Sequence, residues 1–358
     1  MQDNGPRSAG RTVMRPGPKV LNIDCAFLEA PGYEYERRRI ESAGAELVLS
    51  RAATEDAIIE VCRDANIVLL EYPNTPLTSR VAANLPQCWA IVRYGIGLDN
   101  VDVRAFTEHG IVVCNTAEFC VEEVSDHALA LLLASARRIL PMDRNIRAGG
   151  WSDFPQGRPM RRIRNLTLGL IGFGRIARAV ARKMSGFRLR ILATDPYVAP
   201  DPGLGVELVE REVLLRESDL ISIHTPLTDE TRGSIGESEL RAMKESAILV
   251  NTSRGAVVDE AALIRALQEG WIAGAALDVM VEEPLPPASP LRTLENVVLT
   301  PHYAAQSEES LLDLRTAVAD SVEALVRGYW PPFPANPHVV PRIPLKPWSE
   351  FRRGAAPA

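Results

Sequence analysis

The sequence predicts an α/β protein of two doubly wound, parallel-sheet domains. Three observations carry this. Its 358 residues exceed what one small core organises and suggest about two domains. From Lys19 onward, short apolar runs alternate with helical patterns, the mark of βαβ units. After a long apolar helical pattern near 121–148 the alternation begins again, so a second sheet is expected.

In chain order, residues 1–18 carry Gly, Pro and Arg without an apolar core, and read as a flexible tail rather than a signal peptide. "KVLNIDC", "AELVLS", "ANIVLLEY" and "WAIVRYG" read as strands. "YEYERRRIESAG", "TEDAIIEVC" and "NVDVRAFTEHG" read as helices, the first and last closing on glycine. The pattern at 121–148 predicts a buried helix interrupted near Pro141. The second series of strands is "LTLGLIGFG", "RILATDP", "DLISIHTP", "AILVNTS", "IAGAALDV" and "NVVLTPH". A last helix, "SEESLLDLRTAVADSVEALVRG", ends at Gly328, and the proline-rich remainder is expected to run extended over the surface.

Composition narrows the function. Hydrophobic residues make up 46%, as in a globular protein. A net charge of −6 and a pI near 5.6 disfavour a nucleic-acid surface. The longest apolar run, "ALALLLASA", is too short to span a bilayer. The five cysteines, Cys25, Cys62, Cys88, Cys114 and Cys120, form no CxxC pair and are odd in number. They read as buried free thiols in a reducing cytoplasm, not as a zinc site, and no metal is expected.

"TLGLIGFGRIARAVARKM" runs from a strand into Gly172-Phe173-Gly174-Arg175-Ile176-Ala177 and on into a helix. Gly172 permits a tight turn, Gly174 lets backbone approach a pyrophosphate, and Ala177 lets helix and strand pack closely. The helix start at Arg175 and Ile176 offers N–H groups and a positive dipole end to phosphates. Asp195 follows about 20 residues later at the next strand end, where a carboxylate accepts both adenosine ribose hydroxyls and repels a 2′-phosphate. The expected cofactor is therefore NAD rather than NADP. Ligands of such sheets bind at the carboxyl ends of strands. There "LVNTSRGAVVD" places Arg254, "GAALDVMVEEP" places Asp278, Glu282 and Glu283, and "VVLTPHYAA" places His302. Arg, Glu and His are thus expected beside the nicotinamide.

With these motifs in view, the chain resembles the D-isomer-specific 2-hydroxyacid dehydrogenases over roughly 19–334. "NTSRGAVVDEAAL", "GAALDVMVEEP" and "LTPH" carry the resemblance, and "VRYGIGLDNVDV", "EEVSDHALALLL" and "IHTPLTDETRG" agree with it. Within the family it is most similar to bacterial relatives of C-terminal-binding proteins and to short phosphoglycerate dehydrogenases. The resemblance implies two Rossmann-like domains, the NAD-binding domain (116–302) inserted into a substrate domain (19–115 and 303–334), with an extended tail at 335–358. It implies a homodimer through 121–148, and no serine feedback, because the chain has no room for the regulatory domain of long phosphoglycerate dehydrogenases.

The implied activity is reduction of a 2-keto acid to a D-2-hydroxy acid by Arg254, Glu283 and His302. His302 would give the proton, Glu283 would stabilise the imidazolium, and Arg254 would hold the substrate carboxylate. Glu283 is chosen over Glu282 because the family glutamate precedes a proline. Gly95, Ile96 and Gly97 would bind the same carboxylate through backbone N–H groups, and Arg93 would assist. Asp278 would hold the nicotinamide carboxamide. His224 would line the cofactor cleft by its backbone, with Thr225, Pro226, Thr252, Ser253 and Ala304 beside it. Three other readings remain: a non-enzymatic NAD-sensing scaffold, a formate dehydrogenase, and a phosphite dehydrogenase. The last two are disfavoured, since those branches carry glutamine where Glu283 stands and lysine where Ile96 stands. Ala305 and Gln306 depart from the C-terminal-binding-protein branch, which has tryptophan and an aromatic residue there. The missing tryptophan suggests room for a longer or polar keto-acid side chain.

Overall fold

The computed structural model describes residues 17–25, 33–72, 75–151, 160–199 and 202–354. It contains two compact units, Met1–Ala117 with Leu314–Ala358, and Glu118–Asp313. The expected tail at 1–18 falls outside the described residues, apart from Gly17 and Pro18.

The first unit begins β1 (Lys19–Asn22), α1 (Glu34–Ser42), β2 (Glu46–Leu49), α2 (Glu55–Val61), β3 (Ile67–Leu70) and α3 (Ser79–Ala83). It continues through β4 (Ala90–Arg93), α4 (Val103–Glu108) and β5 (Val112–Cys114). The five strands are all parallel, in the order β2-β1-β3-β4-β5. Successive strand side chains alternate between faces, and both faces are covered, so the strands read as unbroken apolar runs. Val20, Ile67, Leu69, Val92 and Val112 pack with Ile40 of α1 and with Val318 and Val322. Leu21, Val68, Leu70, Ile91 and Val113 pack with Ile58 of α2, Val81 of α3 and Phe106 of α4.

The second unit opens with α5 (Val121–Ala136) and α6 (Ile139–Arg147). Then come β6 (Thr167–Ile171), α7 (Arg175–Met184), β7 (Arg190–Thr194), β8 (Val206–Leu208), α8 (Arg211–Glu217) and β9 (Leu220–Ile223). The sheet is completed by α9 (Glu237–Ala242), β10 (Ile248–Asn251), α10 (Glu260–Glu269), β11 (Gly274–Leu277) and β12 (Val297–Leu299). Its seven parallel strands run β12-β11-β10-β9-β6-β7-β8. The chain moves outward from β6 to β8 and then returns to β9 on the other side of β6. The β6–β9 boundary is thus the topological switch point, where this class of sheet opens a crevice for a ligand. Ala128, Leu131 and Leu132 of α5 and Val180 and Met184 of α7 cover one face. Leu214, Leu240, Leu263 and Leu267 cover the other. Helix α11 (Glu308–Val326) follows, then a carboxyl-terminal segment ending in α12 (Trp348–Gly354).

The long helical pattern is interrupted near Pro141, at Arg137–Arg138, where Arg138 is left-handed (φ 53°). Pro141 lies in the first turn of α6, where its missing N–H has no helical partner to lose. Several expectations are corrected. Strands β5 and β8 were not anticipated; three residues are too few to show a period. The unit boundary falls at Asp313/Leu314 rather than 302/303. Ser307 explains part of this, since its hydroxyl donates to Glu123 Oε1 at the start of α5 (2.8 Å). The segment 335–354 is no bare extended tail. Asn336 is buried, accepts from Val113 N–H (2.8 Å) and donates to Ile111 O (3.0 Å), and the segment closes in a helix.

Candidate active site

Gly172 turns sharply at the switch point with φ +85°, and a Cβ there would meet His224 backbone atoms at 2.9 Å. Only glycine lets β6 and β9 end this close together. A Cβ on Gly174 would meet nothing within 4 Å, so the space above it is open. Gly174 caps α7 with no side-chain hydrogen bond, leaving the first N–H groups of the helix to a ligand. Ala177 is fully buried, as close packing of helix on strand requires. Asp195 stands just past β7. Its Oδ2 accepts Phe173 N–H (2.8 Å) and its Oδ1 accepts Tyr197 N–H (2.9 Å). Each oxygen keeps a lone pair for a ribose hydroxyl.

The rest of the crevice holds buried polar atoms without partners among the described residues: His224 Nε2, Thr225 Oγ1 and Thr252 Oγ1. Such atoms are costly unless a ligand satisfies them. They fit a nucleotide laid across the ends of β9 and β10. Burial lowers the His224 pKa to about 4, so this imidazole is neutral.

The catalytic candidates come together at the ends of β10, β11 and β12. His302 Nδ1 lies 2.7 Å from Glu283 Oε2, and Glu283 Oε1 accepts Met280 N–H (3.0 Å). Burial of Glu283 opposes its ionisation. The hydrogen bonds from His302 and Met280, with the charges of His302 and Arg254, outweigh this and hold its pKa below the usual carboxylate value. The stabilisation from an ionised Glu283 is therefore complete above that usual value and is lost as pH falls through the lowered one. An ionised carboxylate only accepts, so His302 carries its hydrogen on Nδ1 and leaves Nε2 for a reactant. Glu282 is exposed, and Glu283 is the glutamate in contact with His302. Arg254 is half-buried, its main-chain oxygen accepting from Asn251 Nδ2 (2.8 Å). Asn251, almost fully buried, also accepts from Ser253 N–H (3.0 Å), so it folds this loop; its place before "TSR" at a strand end was the available signal. A Cβ on the next residue, Gly255, would meet Met280 carbonyl carbon at 2.0 Å, so glycine is what lets the Arg254 and Glu283 loops touch.

Other expected residues find different tasks. Asp278 is fully buried and holds the His302 loop, accepting from Thr300 Oγ1 (2.5 Å), Tyr303 N–H (2.9 Å) and Ala304 N–H (2.9 Å). The N–H of Ala304 is thus engaged within the protein. Arg93, 5% exposed, ties down nearby backbone: its guanidinium donates to Leu70 O, Tyr94 O and Gly97 O. The N–H of Gly95 is also taken, by Thr116 Oγ1 (2.9 Å). Among the described residues no protein acceptor meets the N–H of Ile96 or Gly97, which keeps these two as candidate anion donors in the first unit. Pro226 and Ser253 follow their strands as expected.

Residues 129–304 match the sequence model described as D-isomer specific 2-hydroxyacid dehydrogenase, NAD binding domain. A glyoxylate reductase of Korarchaeum cryptofilum is 45% identical over 293 residues, 80% of this chain and 87% of that protein. The chain belongs to the D-isomer-specific 2-hydroxyacid dehydrogenase family. A D-3-phosphoglycerate dehydrogenase of Archaeoglobus fulgidus is 38% identical over 277 residues, 76% of this chain and 52% of that protein. A solved D-lactate dehydrogenase from Aquifex aeolicus, complexed with NAD and lactic acid, matches with a TM-score of 0.77 and 27% identity, covering 86% and 96% of the two chains. As a member of the family, the protein is an NAD-dependent oxidoreductase interconverting 2-keto and D-2-hydroxy acids. Relatives named for catalysis do not favour the non-enzymatic scaffold. No helix of the described residues is long and apolar enough to cross a membrane.

Proposed function

We propose that the protein reduces a 2-keto acid to its D-2-hydroxy acid with His302 as proton donor, Glu283 as its charged partner and Arg254 as the holder of the substrate carboxylate. The observation that carries this reading is the 2.7 Å contact between His302 Nδ1 and Glu283. When bound, NADH supplies the hydride. His302 delivers the proton from Nε2 to the carbonyl oxygen, and Glu283 stabilises the imidazolium that precedes transfer. The planar fork of Arg254 suits a carboxylate bidentately and polarises the adjacent carbonyl. Ile96 and Gly97, in the first unit, are proposed as N–H donors to a carboxylate. Asp195 is proposed to hold the adenosine ribose. The sites of Thr225, Thr252 and His224 are proposed to be satisfied by the cofactor. One role of Asp278 is left for the carboxamide: a remaining lone pair on Oδ2. A screen of 2-keto acids with NADH tests the reading, and absence of turnover with every acid would reject it.

The substrate is approached from two sides. Ala305 is half-buried and Gln306 exposed, and with no tryptophan at 305 a longer or polar side chain has room. The glyoxylate reductases among the relatives favour instead the smallest keto acid. We expect the longer or polar keto acid to be preferred over pyruvate and 3-phosphohydroxypyruvate, and Ala305→Trp to shift the ranking toward short acids. The check is kcat/KM across a graded series. Glyoxylate or 3-phosphohydroxypyruvate best by more than about tenfold, a difference of about 1.4 kcal/mol, would overturn it.

The protein is further proposed to be a homodimer through the α5–α6 region. Helix α6 buries none of its residues on its own unit, and it exposes Ile139 (51%) and Ile146 (47%) one heptad apart. Beside it a groove of about 990 Å³ runs along the amino-terminal edge of the second sheet, away from the catalytic loops. Light scattering at micromolar concentration should give a dimer mass, and a monomer mass would reject the interface. A reducing, cytoplasmic setting is proposed from the five free, buried cysteines; burial pushes the Cys88, Cys114 and Cys120 thiols up to about 12.

A further inference from the structure

We infer that His127 of α5 is a positioning residue for the proton donor: through Thr300 and Asp278 it holds the loop that carries His302. The inference rests on the proposed role of His302.

His127 lies 173 residues before Thr300 in sequence, yet its Nε2 is 3.0 Å from Thr300 Oγ1 and 3.5 Å from Asp278 Oδ1. The direction of the chain of hydrogen bonds follows from a proton inventory. Thr300 has one hydroxyl hydrogen, and it donates that hydrogen to Asp278 Oδ1 (2.5 Å). Toward His127 the hydroxyl oxygen is therefore an acceptor, and His127 must carry hydrogen on Nε2. Asp278 in turn receives Tyr303 N–H on Oδ1 and Ala304 N–H on Oδ2, while its main-chain oxygen receives His302 N–H (2.7 Å). Every backbone N–H from His302 to Ala304 thus ends on Asp278. Thr300, two residues before His302, ties the near side of the loop to the same carboxylate.

The loop needs such fastening. His302 sits at φ +55°, a left-handed conformation that a non-glycine residue adopts only when its surroundings impose it. Its imidazole is about a third exposed and touches Glu283 at one nitrogen, so side-chain packing alone does not fix the ring. The buried Asp278 supplies the clamp, and His127, from a helix packed on the same sheet, keeps Thr300 turned toward it. Helix α5 is packed down around His127, with Val124, Ala128 and Leu131 buried on either side of it in sequence. A proton donor displaced by about 1 Å can lose about 10²-fold in rate.

The experiment compares His127→Leu, His127→Gln, Thr300→Val and the double variant His127→Leu/Thr300→Val in the full chain with NADH and the best keto acid. Leucine fills the space without a donor. Glutamine returns an amide N–H close to the position of Nε2. We expect His127→Leu to lower kcat about 10-fold to 100-fold with KM for the keto acid and affinity for NADH within about threefold. His127→Gln should restore most of kcat, and the double variant should be no worse than the weaker single, since both cut one chain of contacts. A merely structural histidine would lower melting temperature and yield without this split between kcat and KM, and glutamine would not rescue it. Wild-type kcat in His127→Leu, additive losses in the double variant, or failure of glutamine to restore kcat would each overturn the inference. Should His127→Leu fail to fold, Thr300→Val against Thr300→Ser decides, with serine active and valine impaired as the expected result. His302→Ala, run in parallel, separates the two ideas. Full activity there sinks the proton-donor reading, whereas a large loss there with an indifferent His127 sinks only the present one.

Discussion

His302→Ala is expected to lower kcat for keto-acid reduction by about 10²–10⁴-fold, the usual share of a positioned acid. That range corresponds to about 3–5 kcal/mol of transition-state stabilisation. The physical reason is that alanine removes the only ring whose Nδ1 is fastened to Glu283 and whose Nε2 is left to a substrate. The backbone should tolerate the change poorly only at the left-handed φ, so the loop is still held by the Asp278 contacts to Tyr303 and Ala304. Affinity for NADH should change little, because the proposed cofactor groove, at Gly172, Asp195 and the ends of β9 and β10, does not include His302. Steady-state kinetics with a fluorescence titration of NADH checks both halves. Turnover close to wild type would leave His302 as a loop residue with no part in proton transfer.

The second large effect concerns the cofactor. The wild type should prefer NADH to NADPH, and Asp195→Ala should narrow that preference by about 10-fold to 100-fold. Each hydrogen bond from a ribose hydroxyl to a carboxylate is worth about 1.5–3 kcal/mol, and each 1.4 kcal/mol is about a factor of ten. The same substitution removes repulsion between two negative groups, so NADPH should gain while NADH loses. It also strips the acceptors from Phe173 N–H and Tyr197 N–H, so some loss of NADH affinity will come from a looser glycine turn. Asp195→Asn separates the two, since it keeps an acceptor for the turn and removes the charge. Equal kcat/KM for both cofactors in the wild type would refute the assignment.

How much of this was legible beforehand depends on the range of the interaction that decides each residue. Strand–turn–helix signals around Gly172 lie within twenty residues, and the structure puts the turn, the uncapped helix and Asp195 where the pattern implied. The choice of Glu283 over Glu282 leaned on family likeness, and the 2.7 Å contact with His302 now supports it geometrically. Arg93 is ambiguous in sequence, because a strand-end arginine beside a glycine loop looks the same whether it faces a ligand or ties down carbonyls. The backbone carbonyls it ties down include Leu70, on a different strand. Nothing local marks His127 within the helical pattern at 121–148, since its partner Thr300 is 173 residues away.

The amino-acid sequence by itself determined the α/β class, most strand and helix positions, the nucleotide turn and the residue types of the catalytic centre. These follow from local periodicity, from glycine at a forced turn and from charge at strand ends, all of which act between near neighbours in the chain. Only the tertiary structure decided where the units divide, that the segment after 335 closes against β5, that Arg93 ties down backbone carbonyls, and that Asp278 clamps the loop of His302. Those outcomes depend on which atoms, far apart in sequence, arrive within hydrogen-bonding distance. No pattern of residue types along one chain encodes that distance.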